Sequence, residues 1–240
     1  MRAGQYRARL WRSTHPPLSS ITLDAQGITL NSEEAITLKI GGETSMRART
    51  HLLAQDALRR GLCAVVFQAR DPWEVLRRCR KHSLGVILNH RGGTDSTAGH
   101  CTVLVGLDEG HAILHDPQLG PARPVARQEL LKLWQARPGQ RDVAGDVLVV
   151  LAPARAPCDP CRECGAVLQD AVVCPGCQAP IPLHPAVVLG CADGRCRART
   201  WEVIFCPACD SPVSSLSGEP ARAAPGAAPE DGAELFDKAF

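Results

Sequence analysis

The stretch GHCTVLVGLDEGHAILHDPQLG, at residues 99–120, decides the fold of this chain. Its Asp-Glu-Gly segment at residues 108–110 is a turn signal that separates two runs of β-prone, mostly apolar residues. The stretch therefore predicts an antiparallel hairpin. His100 and Asp116 lie at the two ends of this hairpin. We expect their side chains to lie opposite each other or one diagonal apart, within reach of a hydrogen bond.

A histidine held by a carboxylate is the orienting half of a nucleophilic triad, because the carboxylate fixes the imidazole tautomer and stabilises the imidazolium. His100 and Asp116 are therefore candidate catalytic residues. The alternative is that they are two polar residues at the mouth of an ordinary hairpin. The hairpin pattern alone does not decide between these two interpretations.

Composition sets limits on the class of protein. The chain has 240 residues, of which 45% are hydrophobic, enough for one medium domain and a smaller module. Its formal net charge of +2 gives no global field that favours nucleic acid or a membrane surface. No apolar run reaches the length of a membrane span, and the basic N-terminus lacks the apolar core of a secretory signal. We expect a soluble, cytoplasmic protein.

Shifts in composition divide the chain into four parts. We predict a domain at residues 1–152, a linker at 153–157, a cysteine-rich module at 158–213 and a disordered tail at 214–240. In the first part helical patterns come early and strands later, which predicts an α+β domain with a central antiparallel sheet.

Local signals predict the individual elements of this domain. Asp71-Pro72 is a helix start, with an N-cap followed by proline at the first helical position, and this helix is expected to stop near His82. Gly61 is placed as the C-cap of the preceding helix. Further expected elements are short strands at 21–23 and 28–30, a helix between a cap at 31 or 32 and Gly41, buried strands at 63–68, 85–89 and 146–151, and a helix at 127–135.

These segments together resemble a known family. GHCTVLVG, HAILHDP and a short helix with Leu-Leu-x-x-Trp are similar to the papain-like cysteine peptidase domain that processes double-glycine leaders of bacteriocins. GGETSMRARTHLLAQDALRRGLCAVVF and DPWEVLRRCRKHSLGVIL look like the helices and strands that precede the catalytic histidine in that family. The resemblance covers roughly residues 33–151 and implies a papain-like peptidase fold.

The resemblance implies roles for particular residues. His100 would be the general base and Asp116 would orient it. The family's nucleophile is a cysteine at the start of the first helix, with a glutamine before it, but this chain has no cysteine before Cys63. Two explanations remain open: a catalytically silent relative, or a reading frame that has lost the true first helix.

Other nucleophiles are less favoured. Ser19, Ser20 and Ser32 occupy the right region, and Gln26 precedes Ser32 at a distance that mimics the family spacing. Three cysteines are expected to be inert: Cys63 opens a buried strand, Cys79 lies on a helix, and Cys101 points to the strand face opposite His100.

The cysteine-rich module at residues 158–213 contains a metal-binding pattern. Two C-x-x-C or C-x4-C pairs are each followed, after nine residues, by another C-x-x-C pair. We expect two zinc ribbons in tandem, each a closed, structural site of four consecutive thiolates. The first set is Cys161, Cys164, Cys174 and Cys177, and the second is Cys191, Cys196, Cys206 and Cys209. Disulfides are the alternative, but they require an oxidising compartment. Cys158 is spare, and His184 is not expected to be a ligand.

The sequence leaves two functions open. The first is a bacteriocin-processing-type peptidase-like domain that binds peptides and, if it has a nucleophile, hydrolyses them through a thioester. The second is a non-catalytic adaptor, whose cleft holds an extended peptide while the ribbons recruit a protein partner. Nucleic-acid binding by the ribbons is a third, less favoured interpretation, since the segment RARTWEVIF supplies only two arginines and one tryptophan.

Overall fold

The structure is a computed structural model of the whole chain. It describes residues 50–93, 99–116, 119–136, 145–153, 155 and 159–216, together with the backbone of four short strands at 6–8, 20–24, 27–31 and 35–39.

An antiparallel sheet of eight strands organises the described part of the chain. Its order is β14-β13-β5-β10-β6-β7-β8-β9, and every neighbouring pair is antiparallel. The strands are β5 (Cys63–Ala69), β6 (Gly85–Arg91), β7 (Gly99–Leu107), β8 (His111–Asp116), β9 (Gly120–Ala126), β10 (Val147–Ala152), β13 (Trp201–Phe205) and β14 (Pro212–Val213). With only three α-helices among the described residues, this confirms the predicted α+β class with a large antiparallel sheet.

The sheet is covered on both faces, which explains why its central strands are buried along their whole length. All six residues of β10 and all seven of β6 are buried. Helix α1 (Thr50–Arg59) packs on one face through Leu53, Ala54 and Ala57. Helices α2 (Pro72–Lys81) and α3 (Arg127–Trp134) pack on the other. A strand between two such layers loses the alternation of polar and apolar residues.

The helix boundaries follow the predicted signals. Asp71 caps α2 by accepting a hydrogen bond of 3.0 Å from the backbone N–H of Glu74, Pro72 is the first helical residue, and His82 is the C-cap. Gly61, just past the end of α1, has a φ of 79°, a conformation that glycine adopts without strain. Among the described residues, no helix is long and apolar enough to cross a membrane.

The N-terminal segment corrects one prediction. The helix predicted to begin at Asn31 or Ser32 is wrong, because this region contains β4 (Ala35–Lys39). It is the last strand of a second antiparallel sheet with β1 (Tyr6–Ala8), β2 (Ser20–Asp24) and β3 (Gly27–Asn31). The sequence AITLK alternates apolar and polar residues, and this strand pattern prevails over the capping signal before it.

Strand β9 was not predicted from the sequence. It contains Pro121 and Pro124, which argue against a strand because proline cannot donate a ladder hydrogen bond. The structure resolves the conflict by placing β9 at the edge of the sheet, beside β8 only. An edge strand needs ladder donors on one side alone, so the prolines are tolerated there.

The cysteine-rich segment extends the main sheet. Strand β13 pairs with β5, and β14 continues the sheet beyond β13. A separate two-stranded sheet, β11 (Ala171–Val173) with β12 (Pro180–Pro182), and a short 3₁₀ helix (Ala186–Val188) complete this segment. Trp201 and Ile204 of β13 belong to the same apolar cluster as Phe67 of β5. This part of the chain therefore shares both a sheet and a core with the residues before it.

Candidate functional site

The hairpin β7–β8 brings His100 and Asp116 together. Nε2 of His100 lies 3.0 Å from Oδ1 of Asp116, and both residues are buried, with exposures of 8% and 4%. Because Val103 pairs with His115, Asp116 lies one diagonal from His100 on the same face of the sheet. The proximity expected from the hairpin is thus observed, while the catalytic roles of the two residues stay predictions.

The contact between the two side chains is close but not fully aligned. Nε2 of His100 is buried and makes no hydrogen bond of good geometry with a described group. Since an ionised carboxylate only accepts hydrogen bonds, a contact of 3.0 Å is attractive only if Nε2 carries the proton. Catalytic hydrogen bonds are often poorly aligned until a ligand binds. A small rotation of the imidazole ring would bring the N–H onto the carboxylate.

Asp116 is held by other donors besides His100. Its Oδ1 accepts a hydrogen bond of 2.9 Å from the backbone N–H of Leu119, and its Oδ2 lies 3.5 Å from Nη1 of Arg123. Hydrogen bonds and a nearby cation both favour the ionised form of a carboxylic acid. Asp116 is therefore suited to orient an imidazole and to stabilise its cation without taking its proton.

A second histidine, His90 on β6, packs against His100. The two residues are paired across β6 and β7, and their ring centroids lie 5.6 Å apart in an edge-to-face arrangement. Nδ1 of His90 lies 2.7 Å from the carbonyl oxygen of Arg91, and Nε2 lies 2.9 Å from the hydroxyl of Thr102. Burial is the main reason why the pKa of His90 is lowered to about 4.

The sequence did not reveal the contact between His90 and His100. The loop between β6 and β7 is long and Gly-, Ser- and Thr-rich, so it does not fix the register of the two strands as the tight turn between β7 and β8 does. Because side chains alternate between the two faces of a strand, the sequence gives the face of β6 on which His90 lies, but not the residue that it contacts.

The three cysteines outside the cysteine-rich segment do not approach His100. Cys101 packs with α1 on the opposite face of the sheet, as predicted, and burial raises its pKa to about 12. Cys79 is fully buried on α2, and burial raises its pKa further still. Burial also raises the pKa of Cys63. The thiolate is the nucleophile, so the raised pKa of these thiols disfavours their reactive form.

The other candidate nucleophiles fall outside what the structure describes. Ser19, Gln26 and Ser32 are not among the described residues, and only the backbone of Ser20 is, at the start of β2. Among the described residues no cysteine or serine side chain hydrogen-bonds to His100. The side chains that the structure places against that of His100 are the carboxylate of Asp116 and the imidazole of His90.

The eight predicted cysteine ligands form two clusters, but not those that the sequence predicted. The first metal cluster is Cys161, Cys164, Cys191 and Cys196, and the second metal cluster is Cys174, Cys177, Cys206 and Cys209. The prediction of four consecutive cysteines per site is therefore wrong. Each cluster takes one cysteine pair from each half of the segment, so the two sites are interleaved along the chain.

The positions of the hairpins explain this pairing. The prediction required the nine residues between two cysteine pairs to fold back as a hairpin. Instead the hairpins lie around the second pair of each set: β11 and β12 flank Cys174 and Cys177, and β13 and β14 flank Cys206 and Cys209. The nine-residue segments thus lead from the first metal cluster to the second.

The sulfur atoms in both clusters have the spacing of a tetrahedral metal site. A metal bonded to four sulfurs at about 2.3 Å, the length of a zinc–sulfur bond, has sulfur–sulfur separations of about 3.8 Å. The Sγ separations are 3.7 Å for Cys161–Cys196, 3.5 Å for Cys164–Cys191, 3.6 Å for Cys174–Cys209 and 3.7 Å for Cys177–Cys206. A disulfide bond is about 2.0 Å long, so none of these pairs is bonded. Both groups of four cysteines therefore fit metal binding.

Three of the four cysteine pairs share one backbone turn. In each C-x-x-C pair, the residue after the second cysteine donates its backbone N–H to the carbonyl of the first, at 2.7 Å for Gly165, 3.0 Å for Gln178 and 2.9 Å for Asp210. These three residues all have positive φ, of 75°, 61° and 66°. The positive φ of Gly165 was predicted, whereas Gln178 and Asp210 show that the turn imposes it on other residues too.

Local hydrogen bonds favour the thiolate at two of the ligands. Bonds from the backbone of Glu163 and Cys164 lower the pKa of Cys161 to about 7. The side chain and backbone of Ser211 lower that of Cys209 to about 6. Thiolate is the form that binds a metal. Each cluster therefore contains one cysteine whose lowered pKa favours the metal-binding form.

The comparisons with known proteins give one distant likeness. No protein-family model matches the chain, and no curated protein matches it. A crystal structure of a presumed C39-like peptidase from Bacillus anthracis is similar with a TM-score of 0.37 and 16% sequence identity. The match covers 48% of this chain and 64% of that protein, so it spans less than two thirds of the latter's length.

Proposed function

We propose that this chain is a peptidase-like protein of the bacteriocin-processing type, which binds an extended peptide beside His100 and Asp116 and carries two structural zinc ions. The observation that carries the proposal is the buried contact of 3.0 Å between Nε2 of His100 and Oδ1 of Asp116. Burying such a pair costs free energy through desolvation, and buried ionisable pairs are common at functional sites.

The peptide is proposed to end in two glycines, as the leaders processed by the resembled family do. At a glycine the backbone of a peptide can lie close to the protein, because glycine lacks a Cβ. The exposed side chain of Leu119 lies next to the site, since its own backbone N–H bonds Asp116. An apolar residue of the peptide would cover Leu119, whereas His100 and Arg123 offer polar contacts to its backbone.

Hydrolysis would need a nucleophile that delivers its proton to His100, and the described cysteines do not supply one. The proposal is therefore peptide binding, with cleavage as a separate measurement. The metal is proposed to be zinc because four thiolates at tetrahedral spacing are its usual structural ligands. The free thiols fit a reducing, cytoplasmic compartment.

A binding experiment tests the proposal. Zinc-loaded full-length protein is titrated into a fluorescent leader-type peptide ending in Gly-Gly, and anisotropy is measured. His100→Ala and Asp116→Asn should each weaken binding by about ten- to a hundredfold, since a hydrogen bond to a charged group is worth about 1.5–3 kcal/mol. His111→Ala is the matched control, because His111 lies on the same hairpin with its side chain exposed. Equal affinity of all four proteins would refute the proposal.

Mass spectrometry of the same mixtures separates binding from cleavage. A product cut after Gly-Gly in the native protein, absent with His100→Ala, would show an active peptidase. An electrophilic cysteine trap then identifies the nucleophile. Fast modification of Cys79 or Cys101 would contradict their burial, and fast modification of the half-buried Cys63 would contradict the expectation that it is inert.

The adaptor function has one observation in its favour. Of the four large apolar side chains that are exposed among the described residues, Val167, Val173 and Val187 lie in the cysteine-rich segment. Exposed apolar residues are common at protein-binding surfaces. As an adaptor the chain would still bind the peptide, but without cleaving it, and the cysteine-rich segment would contact a protein rather than a nucleic acid.

A further inference from the structure

We propose that His90 is a positioning residue for His100: its ring, locked by two hydrogen bonds, packs against the imidazole of His100 and holds Nε2 of that ring towards Asp116. This inference rests on the proposed function for its meaning but not for its test, because the ring orientation of His100 is measurable without a peptide.

The hydrogen bonds of His90 define a single tautomer. The carbonyl oxygen of Arg91 only accepts, so Nδ1 of His90, at 2.7 Å, must donate its proton to it. In the neutral ring Nε2 is then an acceptor, and the hydroxyl of Thr102, at 2.9 Å, donates to it. Thr102 is fully buried, so water does not compete for this bond. Both nitrogens are satisfied, and the ring has no freedom to turn.

The ring of His90 in turn limits the ring of His100. The rings meet at an interplanar angle of 81°, the edge-to-face arrangement that aromatic rings prefer. His90 and His100 are direct neighbours across the two strands, and Thr102 is two residues along β7 from His100, on the same face. His90, Thr102 and His100 thus form one packed unit that ends at Asp116.

The charged groups around this unit do not favour the protonated form of His90. Arg91 directs its guanidinium to the carbonyl oxygens of Lys132 and Leu133 at the end of α3. Arg123 and His100 both lie against Asp116, which is the anion of the cluster. His90 therefore stays neutral beside the pair, and only one imidazole of the two is available to share a proton with the carboxylate.

The test is the tautomer of His100, read from long-range ¹H–¹⁵N correlations of the imidazole rings in the zinc-loaded full chain at neutral pH. In the native protein we expect the Nε2–H form alone for His100 and the Nδ1–H form alone for His90. His90→Phe keeps a flat ring at the same place but removes both hydrogen bonds that lock it, so His100 should show a mixture of both tautomers. His90→Ala removes the ring, so His100 should show a mixture of both tautomers.

A second variant guards against loss of folding in His90→Ala. Thr102→Val keeps the volume of the side chain but removes the hydroxyl that locks His90, so it too should give a mixture of tautomers at His100. An unchanged single tautomer of His100 in His90→Ala, His90→Phe and Thr102→Val would overturn the positioning role. If these tautomers behave as expected but no peptide binds, the proposed function fails and the role of His90 stands.

Discussion

At the scale of single residues, burial determines the pKa of a side chain more than its neighbours in sequence do. His90 is an example, because desolvation lowers its pKa from an ordinary value near 6.5 to about 4. A histidine with a lowered pKa binds its proton in the unfolded chain before it does so in the folded protein. Its contribution to stability is therefore complete above pH 6.5 and is lost as the pH falls towards 4.

This gives a prediction for the pH dependence of unfolding. Between pH 6.5 and 4 the free energy of unfolding should fall by up to about 1.4 kcal/mol per pH unit more in the native protein than in His90→Phe. Urea unfolding of both proteins at several pH values measures this difference. Metal loss at low pH affects both proteins alike, so it cancels. Parallel pH profiles of the two would show that His90 titrates normally in the folded state.

At the scale of elements, the cysteine pairs show how local signals and long-range pairing differ. The sequence predicted the eight ligands, the turn at Gly165 and the nine-residue repeat, but assigned the pairs to the wrong partners. Each C-x-x-C turn is local, as its backbone hydrogen bonds span only four residues. Which cysteine pairs share a site depends on which strands pair. The nine-residue spacing between the cysteine pairs does not determine that.

Two double variants distinguish the interleaved sites from the consecutive ones. Cys177→Ser with Cys209→Ser removes two ligands from the second metal cluster alone, so one zinc ion should remain. Cys164→Ser with Cys177→Ser damages both clusters, so binding at both should be lost. Native mass spectrometry, with a chelator that sets the free zinc concentration, counts the ions. Consecutive sites would give the opposite result for the two proteins.

The same difference applies to the other elements. Helix α2 was predicted closely because its cap, its proline and its last residue are all encoded within a few positions. Strand β9 was missed because its prolines are acceptable only at an edge, and its edge position depends on the whole sheet. His100 and Asp116 were found because one tight turn joins their strands, whereas His90 lies across a longer loop.

At the scale of the whole molecule, the second metal cluster and the His100–Asp116 pair are attached to one sheet. Strand β13 joins the second metal cluster to β5, and Asp210, next to its ligand Cys209, lies 3.3 Å from Nδ1 of His51 on α1. Composition predicted a separate module after a linker, since composition reports where cysteines and prolines concentrate but not what they pack against. Metal binding in such small sites supplies folding energy, so a metal ion in the second metal cluster would also support the edge of the main sheet.

The central claim is that a peptide binds beside His100 and Asp116, and the imidazole signals of His100 test it most directly. A Gly-Gly leader-type peptide is added to the zinc-loaded full chain with labelled histidines. We predict that the signals of His100 shift with peptide concentration, whereas those of the exposed His111 do not. His100 signals that stay fixed at saturating peptide would contradict the account.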